Sequence, residues 1–289
     1  MGKTQYSYVE RKHSESGQSG SAIYDLPESG YMPEVILKAY STPTGSTNLD
    51  LPLSDAITKI EVIDGGKVIQ SLTGNQMKGM SMLRKFKNLA SLETNDNAVE
   101  QHDDFYILLG AVLNGTNYAP DMSAFSNPQL RVTWDYSETT NEFGMSCDAD
   151  SSPAMKFSVI AKLVREGGIF SHGYVKTQSV KEWTQATSTT TKTELPLGDQ
   201  LIGVGVEAGY DALDFEEDIE QIKLDIDSGD WIPFDFYEEE IYSSQNWWHG
   251  GPFQYSWSAD VIDNKELDTH MGILNQLNIM SQENAGRAF

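Results

Sequence analysis

Alternation with a period of two constrains this chain more than any other feature. In an extended strand successive side chains point to opposite faces of a sheet, so an apolar residue at every second position builds one face that must be buried. Leu130, Val132, Trp134 and Tyr136 alternate with Gln129, Arg131, Thr133 and Asp135. Met155, Phe157, Val159, Ala161 and Leu163 form a second row, interrupted by apolar Ile160 and Val164 on the other face. The pattern returns in Ile202, Val204 and Val206, in Ile222, Leu224 and Ile226, and in Phe253, Tyr255, Trp257, Ala259 and Val261. These rows predict an all-β chain. Helical spacing is scarce: Met77, Met80, Leu83 and Phe86 share one face of GNQMKGMSMLRKF, and a short helix is expected from Pro233, with Phe234, Tyr237 and Ile241 on one side.

The order of elements also repeats. LPLSDAITKIEV starts at Leu51 and LPLGDQLIGVGV at Leu195, 144 residues later, which is half the length of the chain. KIEVIDGGKVIQSL (Lys59 to Leu72) is matched by IKLDIDSGDWIPFDF (Ile222 to Phe236), and a helix is expected directly after each. Asp64-Gly65-Gly66 and Asp227-Ser228-Gly229 read as hairpin turns, because glycine supplies the positive φ that tight turns need and aspartate tolerates it. Between the halves, residues 137–153 (SETTNEFGMSCDADSSP) combine Gly, Ser, Asp and Pro, which places the expected boundary at residues 150 and 151. Two tandem β-sandwiches follow. The threonine-rich stretch from Thr184 to Thr193 is expected to be an exposed, mobile loop or an edge strand.

Composition narrows the function classes. Hydrophobic residues make up 39% and charged residues 22% of the 289, a globular balance that supports a sizeable core. A lone cysteine, Cys147, makes no internal disulfide and reads as a small buried hydrophobe. MGKTQYSYVERKHSE is polar throughout and no 18-residue apolar run occurs, so neither a cleavable secretion signal nor a membrane span is expected. The net charge of −23 argues against direct nucleic-acid binding, since a polyanion needs a basic face. The excess is uneven: residues 1–145 carry 11 Lys and Arg against 18 Asp and Glu, and residues 146–289 carry 9 against 25.

No constellation selects a reaction. His13, His102, His172, His249 and His270 are scattered, without the paired spacing that puts two imidazoles on one metal. His102-Asp103-Asp104 reads as a loop or strand start, because strand neighbours point apart, and Gly203-Val204-Gly205 reads as strand, without a third glycine or a following helix. Between Asp211 and Glu240 stand 13 acidic residues and one base, Lys223. A solvated acidic face is the plainer reading of this run. The alternative is Ca²⁺ at subunit contacts, with Asp211, Asp214, Glu216, Glu217 and Asp218 as candidate oxygen ligands, although no segment matches an EF-hand loop. Trp247 and Trp248 stand in an aromatic loop suited to burial at an interface, or to stacking on a sugar. Lys78, Arg84, Lys85 and Lys87 form a basic cluster on the first helix, either solvated or facing acidic neighbours or an anionic membrane.

The duplicated strand, Asp-Gly turn, strand and helix, with TKIEVIDGGKVIQSL in one half and EQIKLDIDSGDWIPF in the other, resembles the double jelly-roll major capsid proteins of tailless viruses with an internal membrane. The likeness runs from about Ile23 to Phe289, includes a terminal strand ending near Arg287, and is most similar to the corticovirus type within the lineage of PRD1 and adenovirus. It implies that residues 1–150 form one jelly roll with an N-terminal arm and 151–289 a second, each of eight strands standing perpendicular to the shell. It further implies a homotrimeric, pseudo-hexagonal capsomer that tiles a capsid lattice with penton and minor capsid or membrane proteins over an internal lipid membrane. Synthesis in the host cytoplasm, a place in the virion, no required cofactor and no enzymatic activity go with that resemblance. A carbohydrate-binding β-sandwich, with Trp247, Trp248 and Trp257 as stacking surfaces, is the alternative reading, and a sandwich glycoside hydrolase with a facing carboxylate pair is a third.

Overall fold

The computed structural model describes residues 3–17, 19–41, 53–85, 100–110, 119–135, 155–165, 173–182, 190–196, 220–226, 231–237, 254–258 and 269–273. In chain order these hold β1 (Lys3–Glu15), β2 (Ser19–Asp25), β3 (Tyr31–Ser41), α1 (Leu53–Ala56), β4 (Lys59–Asp64), β5 (Lys67–Leu72), α2 (Gly74–Lys85), β6 (Gln101–Leu108), β7 (Pro128–Asp135), β8 (Met155–Arg165) and β9 (Thr177–Gln178). After them come β10 (Gln221–Ile226), β11 (Trp231–Tyr237), β12 (Gln254–Ser258) and β13 (Thr269–Ile273). The chain divides into two compact units, Met1–Lys78 with Ser91–Leu201 and Gly79–Ala90 with Ile202–Phe289.

The first unit is a jelly roll. One sheet has the order β1-β8-β3-β6 and the other β2-β7-β4-β5-β9. Every connection among the first eight strands crosses between the sheets except the β4–β5 hairpin, which is the winding that lets eight strands cover two faces of one core. Alternation does the burying: β7 reads buried, half-buried, buried along its whole length, with Leu130, Val132 and Trp134 inward. Val35, Leu37 and Ala39 of β3, Phe105 and Ile107 of β6, and Phe157, Val159 and Ala161 of β8 meet them from the opposite sheet, all fully buried. The Phe157 ring bridges the sheets, 5.4 Å from Trp134 and 6.5 Å from Tyr24. Gly20 makes room there, since a Cβ on it would stand 2.6 Å from Trp134 Cζ2.

Local signals fix the connections. The β4–β5 turn uses Gly65 at φ +58°, and Asp64 Oδ1 accepts from the Ser126 and Asn127 amides, tying the hairpin to the start of β7. Thr73 and Gln76 form a reciprocal capping box: the Gln76 amide donates to Thr73 Oγ1, and the Thr73 amide donates to Gln76 Oε1, each at 3.2 Å. The expected first helix therefore starts at Gly74, whose amide donates to Ile57 O at 2.9 Å; a side chain there would meet Ser54 O at 2.2 Å.

Two expectations are corrected. The cut at 150 and 151 puts β8 in the second half, whereas β8 is hydrogen-bonded between β1 and β3. The eighth strand must return beside the first to complete the sheet, so the Gly- and Ser-rich stretch 137–153 marks the connection from β7 to β8, not a domain linker. Nor does a helix start at Pro233: Trp231–Tyr237 is strand, paired antiparallel with β10. The aromatic residues of WIPFDFY favour strand, and Pro233 sits where the register slips between Phe234 and Trp231, a bulge that tolerates a missing N–H.

In the second unit β10 and β11 form one antiparallel pair, the hairpin expected around Asp227-Ser228-Gly229, and β12 and β13 form another. Residues 190–196 have no regular structure and are exposed or half-buried, while 184–189 lie outside the described residues. So do the expected strand at Ile202–Val206 and the terminal strand near Arg287.

Candidate assembly surface

The two faces of the sheet β1-β8-β3-β6 carry different chemistry. Inward rows are aliphatic and aromatic, as the core requires. Outward, cross-strand neighbours line up as Tyr6, Lys162, Glu34 and Leu108, then Tyr8, Ile160, Ile36 and Tyr106. Further rows hold Ser158, Lys38 and Asp104, and Lys156, Tyr40 and His102. Directly opposed residues on one face are the unit of sheet stabilisation, and here tyrosine, lysine and carboxylate alternate across four strands.

Charges on this face are neutralised in place. Lys162 Nζ lies 3.5 Å from Glu34 Oε2, both nearly buried, and Lys38 Nζ lies 2.7 Å from Asp104 Oδ2. Burial works to lower the Lys38 ammonium, but its hydrogen bond to Asp104 and the carboxylate's charge outweigh that and hold it above the ordinary lysine value. Burial, and then the charge of Asp104, raise the Tyr106 phenol. At the lower rim Glu100 accepts from Lys12 and, at 2.8 Å, from Lys156; these two bonds hold its carboxyl below the usual carboxylate range. Lys12 is held in the left-handed region, at φ +44°, where the β1 register slips, and its amide donates to Ser158 Oγ at 2.8 Å instead of to the ladder.

A second ion pair sits inside. Asp103 Oδ2 lies 2.7 Å from Lys78 Nζ, and both side chains are 2% exposed, so β6 and α2 are joined by a buried charge pair. Of the alternatives for the basic cluster of Lys78, Arg84, Lys85 and Lys87, Lys78 takes the acidic neighbour, and it does so as an interior residue and not on a solvated helix face. The strand geometry also separates His102 from Asp103: His102 lies beside the Tyr40 ring at 5.9 Å on the outward face, and Asp103 points inward.

The candidate ligands Asp211, Asp214, Glu216, Glu217 and Asp218, with Trp247, Trp248, Cys147, His172 and His249, lie outside the described residues. Trp257 stands in β12 and His270 in β13, paired with each other in register. Among the described residues no three His, Cys, Asp or Glu side chains converge to hold a metal ion, and no helix is long and apolar enough to cross a membrane. Sequence reasoning missed β1 itself, because KTQYSYVERKHSE is polar; Tyr6 and Tyr8 at a spacing of two were the available signal.

Against known proteins, no family model and no curated protein matches the chain. Solved structures do. The STIV MCP matches at 11% identity with a TM-score of 0.54, over 100% of both chains. A chain of the PBCV-1 virus capsid matches at 11% identity with a TM-score of 0.55, over 87% of this chain and 76% of that one. Of PBCV-1 VP54, as fitted into the virophage Sputnik, the chain spans 44%, with a TM-score of 0.41. The major capsid protein P2 from bacteriophage PM2 is similar over 57% of this chain and 52% of that one, at 15% identity and a TM-score of 0.34, which does not single out one lineage. The two matches above one half, together with the strand order of the first unit, establish the fold: all-β, two tandem jelly-roll sandwiches with short flanking helices.

Proposed function

We propose that this chain is the major capsid protein of a tailless icosahedral virus and acts by assembly, without catalysis. One observation carries the reading: a fold match along the whole chain to the STIV MCP, in a chain whose sequence says the same thing twice. The part-exposed Lys38–Asp104 pair beside Tyr40 and Tyr106 supports it, since a neutralised charge among tyrosines suits a surface that is covered by another protein. Three copies form a pseudo-hexagonal homotrimer in which six similar sandwiches stand at six corners, so one sequence tiles a near-hexagonal lattice. Penton and minor proteins complete the shell over an internal membrane, after synthesis in the host cytoplasm. The acidic run 211–240 supplies Ca²⁺ ligands at subunit contacts in this proposal, on its charge alone.

Light scattering on the purified chain, first with Ca²⁺ and then with chelator, tests the proposal. A species near three times 32.1 kDa, or larger particles, is expected. Dissociation by chelator supports the cation sites, and indifference to it removes them. A strict monomer in every condition overturns the capsid reading in favour of a carbohydrate-binding sandwich.

A further inference from the structure

We propose that the outer edge of β1, over Lys3–Tyr8 with the rings of Tyr6 and Tyr8, is a surface by which one copy of this chain takes hold of a second copy. The inference rests on the capsid reading and assigns it a place on the molecule. β1 is 13 residues long, and none of its side chains is buried. From Lys3 opposite Arg165 to Tyr8 opposite Ile160 its ladder with β8 is unbroken, and among the described residues β8 is its one ladder partner. Both register slips fall after Tyr8, so the first six residues are the regular part of the strand. A long, regular edge presents a row of backbone donors and acceptors that pairs with another chain unless something blocks it. Of the usual blocks Lys3–Tyr8 has only Lys3, at its very start on the inward row; between Thr4 and Tyr8 there is no proline, no bulge and no charge.

Of the other edges, β2 is shorter, seven residues against thirteen, while those of β5 and β6 are engaged. The β5 edge is capped by the parallel pairing of β9, and β6 is tied by the buried Lys78–Asp103 pair to α2. At β1 two tyrosines stand open instead, Tyr6 at 58% and Tyr8 at 52% exposure, although the buried row of β8 lies directly beside them. Lys162 Nζ, paired with Glu34, lies 5.8 Å from the Tyr6 ring, and the exposed Arg11 guanidinium lies 4.2 Å from the Tyr8 ring, so the patch is aromatic with one cation at its end. Tyrosine and arginine are the residues that dominate binding energy at protein interfaces.

Charge selects the occupant. Apart from Lys12, which Glu100 already neutralises, residues 1–12 carry Lys3 and Arg11 against Glu10, within a chain of net charge −23. A second copy is acidic over most of its length and is attracted to this basic edge, while the excess negative charge disfavours other approaches of like to like.

The full chain with Tyr6→Ser, Tyr8→Ser and Arg11→Glu tests the assignment, compared with wild type by light scattering over a dilution series. Association is expected to weaken by at least about tenfold, with the melting temperature nearly unchanged because the altered side chains are exposed. A second measurement needs no variant: amide hydrogen exchange in Lys3–Tyr8 of wild type should slow as concentration rises through the association range. If wild type associates while the triple variant associates equally well, or Lys3–Tyr8 exchanges at the same rate in monomer and assembly, this inference fails and the capsid reading stands. If wild type never associates, both fail.

Discussion

β1 and β6 are the two outer strands of one sheet, and they relate to the core in opposite ways. β6 buries Phe105 and Ile107 completely, sends Asp103 inward to Lys78, and receives at Leu108 O a 2.6 Å hydrogen bond from buried Gln70 of the facing sheet. β1 has no fully buried side chain; beyond its ladder it holds on through the Lys12 amide on Ser158 Oγ, the exposed ion pair with Glu100, and the Tyr24 hydroxyl, which donates to Glu15 Oε1 at 3.2 Å. One strand is part of the sandwich interior and the other is laid along its side. The comparison teaches that the core's stability is drawn from one edge of the sheet and not the other, which leaves the exposed edge able to change partners without unfolding the core.

The sharpest break falls on the β6 side. Asp103→Ala or Lys78→Ala leaves a buried charge without its counter-charge and should cost about 3–5 kcal/mol in urea unfolding. Lys78→Met combined with Asp103→Leu should cost less than either single change, because no charge then remains to be solvated. Single-variant losses below about 1 kcal/mol would mean that water reaches the pair.

Next in size, Phe157→Ala removes the ring between Trp134 and Tyr24 and should cost about 3–5 kcal/mol, whereas Tyr8→Ala on β1 should fall within about 0.5 kcal/mol. Gly20→Val drives a side chain into Trp134 and should cost about 1–3 kcal/mol, visible also as a shift in tryptophan fluorescence. Equal effects at Phe157 and Tyr8 would erase the contrast between the edges.

The smallest effect sharpens the β1 side. Glu100 is held below its unfolded value by Lys12 and Lys156, so its contribution is full above the ordinary carboxylate range and is lost as pH falls through its folded value. Glu100→Gln should therefore destabilise by about 0.2–1 kcal/mol at neutral pH. The gap to wild type should close below about pH 4 and shrink with added salt. A gap that widens on acidification would reverse the sign of this linkage.

Strands that pack on both sides were legible from the residues alone. Leu130, Val132 and Trp134 announced β7, the row from Met155 announced β8, and Asp64-Gly65-Gly66 announced the hairpin. β1 was illegible because a strand laid on a sheet's side has no core face to write into its sequence. Pro233 misled because helix starts and strand bulges both accept a missing N–H, and the choice is made by pairing with β10, a tertiary effect. The Lys78–Asp103 pair joins residues 25 apart in the chain, and nothing in the local pattern of either marks it as buried. The cut at 150 failed for a related reason: composition marks a long connection and a linker alike, and only the return of β8 beside β1 tells them apart.

Electron microscopy of the purified chain at assembly concentration tests the central claim most directly. The account predicts a particle of three copies with a six-cornered outline, two sandwiches from each copy. A population of single two-sandwich particles, or rings with another number of corners, would contradict it.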